Sequence, residues 1–298
     1  MKILITGASG LIGKALTTEL QRQGHSTVAA VRRTPRNNNE VQWDPENGVL
    51  SPDAFSGVDA VVHLAGAGIG DKRWTDSYKK EILESRTKGT ALLATTMSSL
   101  AVKPSVFISG SAIGIYGESP TETFDEKSAA GAGFLADVCE QWERAAAPAT
   151  QAGIRTVFIR TGIVLSPKGG ALKKQLPLFK LGLGGKFGNG KQWQSWISIT
   201  DEVNAIIHLL TSQVSGPVNL TAPQAVTNAE FTKTLAKVVS RPALLPIPSF
   251  GPKALLGAEL ADALLFTGQH VKPSVLLADG FTFTHSTLES ALRDLLKK

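Results

Sequence analysis

Residues 1–16 read MKILITGASGLIGKAL, and this stretch decides the fold. Lys2–Thr6, KILIT, is a continuous β-type run, the form a strand takes when both faces of a parallel sheet are covered. GASGLIG (Gly7–Gly13) follows, then a helical pattern, KALTTELQRQG, closed by Gly24. The next run, STVAAVRR (Ser26–Arg33), reads as a second strand. Strand, glycine turn, helix and strand in this order make the first half of a dinucleotide-binding fold. Gly7 permits the tight turn, Gly10 lets the backbone approach a pyrophosphate, and Gly13 lets helix and strand lie close. The helix N-terminus, with Ser9, Leu11 and Ile12 around the glycines, offers free N–H groups and a positive dipole end to phosphate. The spacing is GxxGxxG, not the GxGxxG of many dehydrogenases. A merely structural turn is the plain alternative, and the strand–turn–helix context favours a nucleotide.

Roughly twenty residues past the glycines, this fold places the group that reads the adenosine ribose. An acid there holds the 2′-hydroxyl of NAD. Here the second strand ends in Val31, Arg32 and Arg33, with no acid until Glu40. A guanidinium accommodates a 2′-phosphate, so the expected cofactor is NADP. A solvated strand end is the alternative.

The 298 residues, 42% hydrophobic, suffice for a well-buried core. No apolar run is long enough to span a bilayer, and no cleavable apolar segment follows the first lysine. The single cysteine, Cys139, excludes an intramolecular disulfide and fits a reducing cytoplasm. On its helix it reads as a small buried hydrophobe. The formal charge of +6 is scattered, without a dense basic run or interleaved aromatics, so nucleic acid is not the expected partner. RRTPRNNNE (Arg32–Glu40) is the most polar segment and reads as a surface loop. There is no HExxH, no cysteine pair and no clustered carboxylates to hold a metal, and no GxSxG to mark a hydrolase.

Further blocks follow in order: GVDAVVHLAGAGIG (Gly57–Gly70), SRTKGTALLAT, VFISGSAIGIYG, TVFIRTGIVLS, GNGKQWQSWISITDEV and GPVNLTAPQAVTNAEFTKTLAKVV. In order and type they resemble the extended short-chain dehydrogenase/reductases, which include nucleotide-sugar epimerases. DKRWT, SRTKGT, LGLGG and FTGQHVKPSVLLADGFTFTHSTLESAL (Phe266–Leu292) resemble more closely its atypical branch, the sugar-nucleotide epimerase-like epimerase family. The resemblance spans nearly the whole chain. It implies an α/β Rossmann-type doubly wound parallel sheet with a smaller C-terminal substrate lobe. The expected division is an NADP-binding domain over 1–220, with an inserted substrate-side segment at about 166–200, and a helix-rich domain over 245–298.

The wider group uses a tyrosine as general acid/base and a lysine four residues later that lowers its pKa and grips the ribose. In GFLADVCEQWERAA (Gly133–Ala146) the matching positions are Phe134 and Val138, which share a face with Trp142. Neither exchanges a proton. Arg86 stands where extended members commonly have Asn; it is read as a cofactor ligand, with Glu81 earlier on the same helix, and an ordinary exposed helix arginine is the alternative. Ser109 and Ser111 follow the strand that carries the family's carbonyl-polarising hydroxyl. Tyr116, one of two tyrosines, matches the family's YG loop and is the candidate displaced acid, with packing as the alternative. Ser111 and Tyr116 are therefore the catalytic candidates. The cofactor set is completed by Leu64, Ala65, Gly66, Ser109 and Arg160. His63 reads as a packed residue at a strand end, and Asp137 as solvent-facing.

On the substrate side, Asp201 reads as a helix N-terminal acid near the domain junction. Ser286 with Glu289 has capping-box spacing for the last helix. Lys173, Lys174, Lys180 and Arg241 are candidates for a second pyrophosphate grip, against the plainer reading as solvated side chains. The expected activity is NADP-dependent oxidoreduction or epimerisation of a small, sugar-derived alcohol or carbonyl, by a monomer or homodimer. The rival is a non-catalytic NADP(H)-binding redox sensor or scaffold.

Overall fold

The computed structural model describes residues 1–297. At its centre is an eight-stranded sheet of β1 (Lys2–Thr6), β2 (Ser26–Val31), β3 (Glu40–Asp44), β4 (Val49–Leu50), β5 (Ala60–His63), β6 (Val106–Ala112), β7 (Arg155–Thr161) and β8 (Gly216–Leu220), in the order β8-β7-β6-β5-β1-β2-β3-β4. All neighbours pair in parallel except β3 and β4, which form a short antiparallel edge. The order reverses around β1: the chain goes out through β2 to β4, then returns to the other side with β5. This is the doubly wound arrangement expected from the first sixteen residues.

Side chains alternate across β1. Ile3 and Ile5 enter one core with Leu16 and Leu20 of α1 (Leu11–Arg22) and Ile206 and Leu209 of α2, the helix Ile199–Thr211. Leu4 enters the opposite core with Trp43, Phe107 and Leu93, Ala94 and Met97 of α3, the helix Asp76–Ser98. Burial of both faces explains why KILIT is apolar without alternation. Each such Leu or Ile contributes roughly 1.5–3 kcal/mol by leaving water. The fourth helix at the site, α4 (Phe134–Arg144), packs beside α3 and the end of β6.

A third core joins Leu172, Leu176 and Phe179 of the helix Gly170–Lys180 to Phe231 and Leu235 of Asn228–Val239 and Leu288 and Leu292 of Leu288–Leu295. Asp201 ties this lobe to the sheet: in the first turn of α2, its carboxylate accepts the N–H of Thr284 at 2.7 Å and of His285 at 3.0 Å. The last helix is capped differently from expectation. Thr287, not Ser286, accepts the N–H of Ser290, and Glu289 turns outward to Lys237 and Arg293. Across the cleft, the loop after β5 and the first turn of α3 clasp the lobe. Arg73 donates to the carbonyls of Ala254 and Leu255 at the end of the helix Phe250–Leu256, and Lys79 pairs with Glu259 at 2.5 Å.

Candidate active site

The glycine turn at the end of β1 is packed to a tolerance that only glycine meets. Gly7 has φ +68°, and a Cβ there would lie 2.8 Å from the Leu64 carbonyl. A Cβ at Gly13 would overlap the carbonyl oxygen of Gly7. Gly10 caps α1 without a side-chain bond, and no acid occupies the first turn. The first intrahelical bond is from Lys14 to Gly10, so the N–H groups of Leu11, Ile12 and Gly13 have no acceptor within the helix. Ser9 and Gly10 are exposed; Leu11 and Ile12 are half-buried. A backbone cradle with open donors and no competing acid is what a pyrophosphate requires, and these residues fit a dinucleotide.

Val31 ends β2 half-buried, and the two arginines after it behave differently. Arg33 is held bidentately by Glu40, at 2.6 and 2.8 Å. Hydrogen bonds from Arg33 and the Arg36 N–H bring the Glu40 carboxyl down to about 2. Arg32 is exposed and, among the described residues, carries no such clamp. The residues between them and Glu40 form the surface loop read from the sequence.

His63 closes β5, fully buried. Thr6 Oγ1 accepts the N–H groups of Leu64 (3.2 Å) and Ala65 (3.3 Å), so its own proton goes to His63 Nδ1 at 2.6 Å. That assigns the remaining ring proton to Nε2. Burial, with the nearby charge of Arg86, pushes the imidazole pKa down to about 3. His63 therefore pins the strand end Leu64–Ala65–Gly66 to β1 as a neutral ring. Beneath Gly66 lies Arg86, not an exposed helix arginine but 8% exposed, its guanidinium 5.0 Å from the Trp142 ring centre.

Phe134 and Val138 stand one turn apart on α4. Phe134 is covered by Trp74 at 4.9 Å and by the Lys79 ammonium at 5.2 Å. Val138 packs with Tyr78 and Ile82 of α3. One residue beyond Trp142, Glu143 turns inward. It accepts Ser111 Oγ–H at 2.7 Å and a two-pronged bond from Arg160, Nε at 2.8 Å and Nη2 at 3.0 Å. Arg160 Nη1 donates to Tyr116 Oη at 3.0 Å, and Tyr116 donates to Asn219 at 2.7 Å. Burial disfavours the Arg160 charge, but the hydrogen bonds and charges of Glu143 and Tyr116 together outweigh it and raise the pKa. Burial likewise raises that of Tyr116, against the opposing effect of Arg160.

This network brings Ser111, Arg160 and Tyr116 together and adds two residues that sequence reasoning missed, Glu143 and Asn219. The tyrosine ring edges a cavity of about 540 Å³ shared with Glu118, Glu122, Phe124 and Gly131, yet Tyr116 is 2% exposed and its hydroxyl is engaged on both sides. That geometry argues for packing and against a displaced acid. Arg160, likewise, spends its donors on Glu143 and Tyr116. Ser109 is fully buried within β6, and Cys139 is a buried thiol pushed up to about 12 by burial. Glu81 faces solvent and pairs with Lys72, outside the group that the fold gathers. Asp137 is exposed, as are Lys173, Lys174, Lys180 and Arg241; of these, Arg241 reaches the Lys180 carbonyl at 3.1 Å. Among the described residues no helix is long and apolar enough to cross a membrane, and no cluster of His, Cys, Asp and Glu has metal-site geometry.

A glycine cradle at the reversal point of a doubly wound parallel sheet defines a Rossmann-type α/β protein, with the carboxyl ends of β5 to β7 forming the rest of the crevice. Residues 3–221 match the model of the NAD dependent epimerase/dehydratase family, and the chain belongs to that family. Residues 247–295 match a domain of unknown function, DUF1731. The chain is similar to an epimerase family protein of Mycobacterium bovis, Mb2239, 45% identical over 97% of this chain and 96% of the relative. It is also similar to the human epimerase family protein SDR39U1, 36% identical over 99% and 100% of the two chains. The crystal structure of the human protein (isoform 2) with NADPH superposes with a TM-score of 0.91 at 34% identity, covering 100% of both chains. A nucleoside-diphosphate sugar epimerase from Corynebacterium glutamicum gives 0.80 at 37% identity, over 99% of this chain and 58% of that one.

Proposed function

We propose that this chain is an NADP-dependent oxidoreductase of the epimerase family, acting on a small alcohol or carbonyl, with sugar-derived compounds as the class that its relatives favour. The observation that carries this reading is the hydrogen-bonded set of Ser111 on β6, Arg160 on β7 and Glu143 on α4, the helix where the usual tyrosine and lysine are replaced. The N–H groups of Leu11, Ile12 and Gly13 hold the pyrophosphate. Arg32 meets the 2′-phosphate, while Arg33 stays with Glu40. Leu64, Ala65 and Gly66 form the floor. The bound nicotinamide supplies or accepts hydride.

The proton belongs to the protein. Ser111 gives its own proton to Glu143, which leaves its lone pairs for the crevice. It takes the hydroxyl proton of an alcohol substrate as its own moves to Glu143 Oε1; the reverse transfer protonates the oxygen of a carbonyl whose carbon receives hydride. Arg160 fixes the carboxylate, and Tyr116 and Asn219 fix Arg160. The reading fits a reducing cytoplasm, where the lone thiol stays unoxidised.

The test is a pair of measurements. NADPH fluorescence titration gives affinities, with Arg32→Ala expected to weaken NADPH at least tenfold and NADH less than threefold. Turnover is then followed over a panel of secondary alcohols and carbonyls. Ser111→Ala and Glu143→Gln each lower it by about 10- to 1000-fold with NADPH affinity within threefold. Tyr116→Phe stays within threefold; an effect as large as that of Ser111→Ala returns the proton role to the tyrosine. Phe134 and Val138 favour a second reading, an NADP(H)-binding sensor, which tight NADPH binding without turnover across the panel establishes.

A further inference from the structure

Six of the large apolar side chains most open to water lie on one lobe. Leu181, Leu183, Leu244, Leu245, Phe250 and Leu255 are each between 66% and 85% exposed. Two stretches distant in sequence bring them together. Ile247 donates its N–H to the Lys186 carbonyl at 2.8 Å, Gly188 donates to Ile247 at 3.0 Å, and Arg241 Nε reaches the Lys180 carbonyl. Pro242 packs over Gly182. Residues 180–188 therefore run beside 241–248, and the helix Phe250–Leu256 follows directly. That helix, FGPKALL, is apolar in all but one residue yet has no buried side chain. Leu178, also exposed, and Leu181 stand one turn apart and carry the face onto the end of the helix Gly170–Lys180, whose Leu172, Leu176 and Phe179 turn the other way into the core. A contiguous apolar surface of this kind, ringed by polar groups, marks a place where something else docks.

The charge around it is of one sign. No Asp or Glu occurs between Glu143 and Asp201, a stretch with six lysines from Lys168 to Lys191, nor between Glu230 and Glu259, which holds Arg241 and Lys253. The next acids along the chain are engaged: Glu259 by Lys79 and Asp262 by Lys253. Among the described residues Lys173, Lys180 and Arg241 pair with no acid, and all three are exposed. Lys173 and Lys180, seven residues apart, lie along one side of their helix and flank Leu178 and Leu181.

This charge selects the occupant. In a two-fold dimer the face would meet itself and set Lys180 and Arg241 against their own copies. A phospholipid surface with anionic headgroups satisfies both halves: the acyl boundary receives leucine and phenylalanine, and the headgroups receive the cations. Contact of this kind is peripheral and needs no spanning helix. We propose that this face of the C-terminal lobe docks the protein on an anionic bilayer, with Leu244, Leu245 and Phe250 entering the interface and Lys173, Lys180 and Arg241 on the headgroups. The proposal does not depend on the dinucleotide reading above.

The test is cosedimentation of the full chain with vesicles of phosphatidylcholine containing about one-third phosphatidylglycerol, and with phosphatidylcholine alone. The expected result is binding to the mixed vesicles that falls at least tenfold on the neutral ones and weakens with added salt. Leu244→Ser, Leu245→Ser and Phe250→Ser combined lower it at least tenfold, and Lys173→Gln and Lys180→Gln lower it about fivefold for each cation removed. Circular dichroism checks that the variants fold. Should the serine variant fold poorly, an environment-sensitive dye on Leu244→Cys takes its place, since the native Cys139 is buried; its emission shifts to the blue on mixed vesicles. Absence of binding to mixed vesicles overturns the proposal, as does equal binding to neutral ones or an unshifted dye. A dimer formed without lipid and lost in the serine variant overturns it too, and assigns the face to a second copy.

Discussion

Thr6 spends one hydroxyl on three partners: two backbone N–H groups of the following strand end and the imidazole of His63. Removing it strips the Ala65 amide and the ring nitrogen of this partner, while the Leu64 N–H keeps its bond to the Thr6 carbonyl at 3.3 Å, so Thr6→Val is expected to cost about 1–3 kcal/mol in urea unfolding. His63 itself, at about 3 in the fold against 6.5 unfolded, stays neutral while the unfolded chain protonates. Its contribution to stability is complete above pH 6.5 and falls as pH drops toward 3. Its ring proton signals are accordingly expected to stay constant in NMR spectra between pH 5 and 8. At this scale the glycines were legible because a positive φ and a close backbone approach leave one residue type. Glu143 was not: WERAA reads as a solvated helix charge, and its partner Arg160 lies 17 residues away on a different element.

Among elements, α4 carried the largest surprise for its neighbours rather than for itself. The four-residue recurrence of Phe134, Val138 and Trp142 announced its buried seam; the charge that meets that seam comes from Arg86 on α3, which only the family resemblance singled out. At the last helix two adjacent hydroxyls, Ser286 and Thr287, competed for the cap, and spacing to Glu289 favoured the wrong one because Glu289 is drawn to Lys237 and Arg293. The helix α2 holds a testable strain. Glu202 in its first turn is fully buried; one oxygen accepts Thr161 at 2.9 Å and the other has no partner. Burial raises its pKa to about 8, despite the Thr161 bond. The folded state thus binds a proton that the unfolded chain, titrating near 4.5, has lost. This contribution is full below pH 4.5 and disappears as pH rises through 8. Glu202→Gln keeps the Thr161 contact without the charge, so it should unfold at higher urea than the wild type at pH 9 and lose that advantage at pH 5.

For the molecule as a whole, Arg73 supplies two bonds across the cleft, at the end of the helix Phe250–Leu256. Arg73→Ala is expected to speed hydrogen exchange in residues 247–266 at least tenfold, with the β1 amides unchanged, as measured by mass spectrometry. Retained protection would assign the closure to the Lys79–Glu259 pair instead. The sheet itself ends abruptly on both flanks. On one side β4 offers two residues in reversed direction; on the other, β8 carries Pro217, which has no N–H to give. A neighbouring polypeptide therefore finds no long template along which to continue the ladder. Crowding within a cell should leave these molecules as discrete bodies, and any self-association must run through side-chain surfaces rather than by stitching one sheet onto the next.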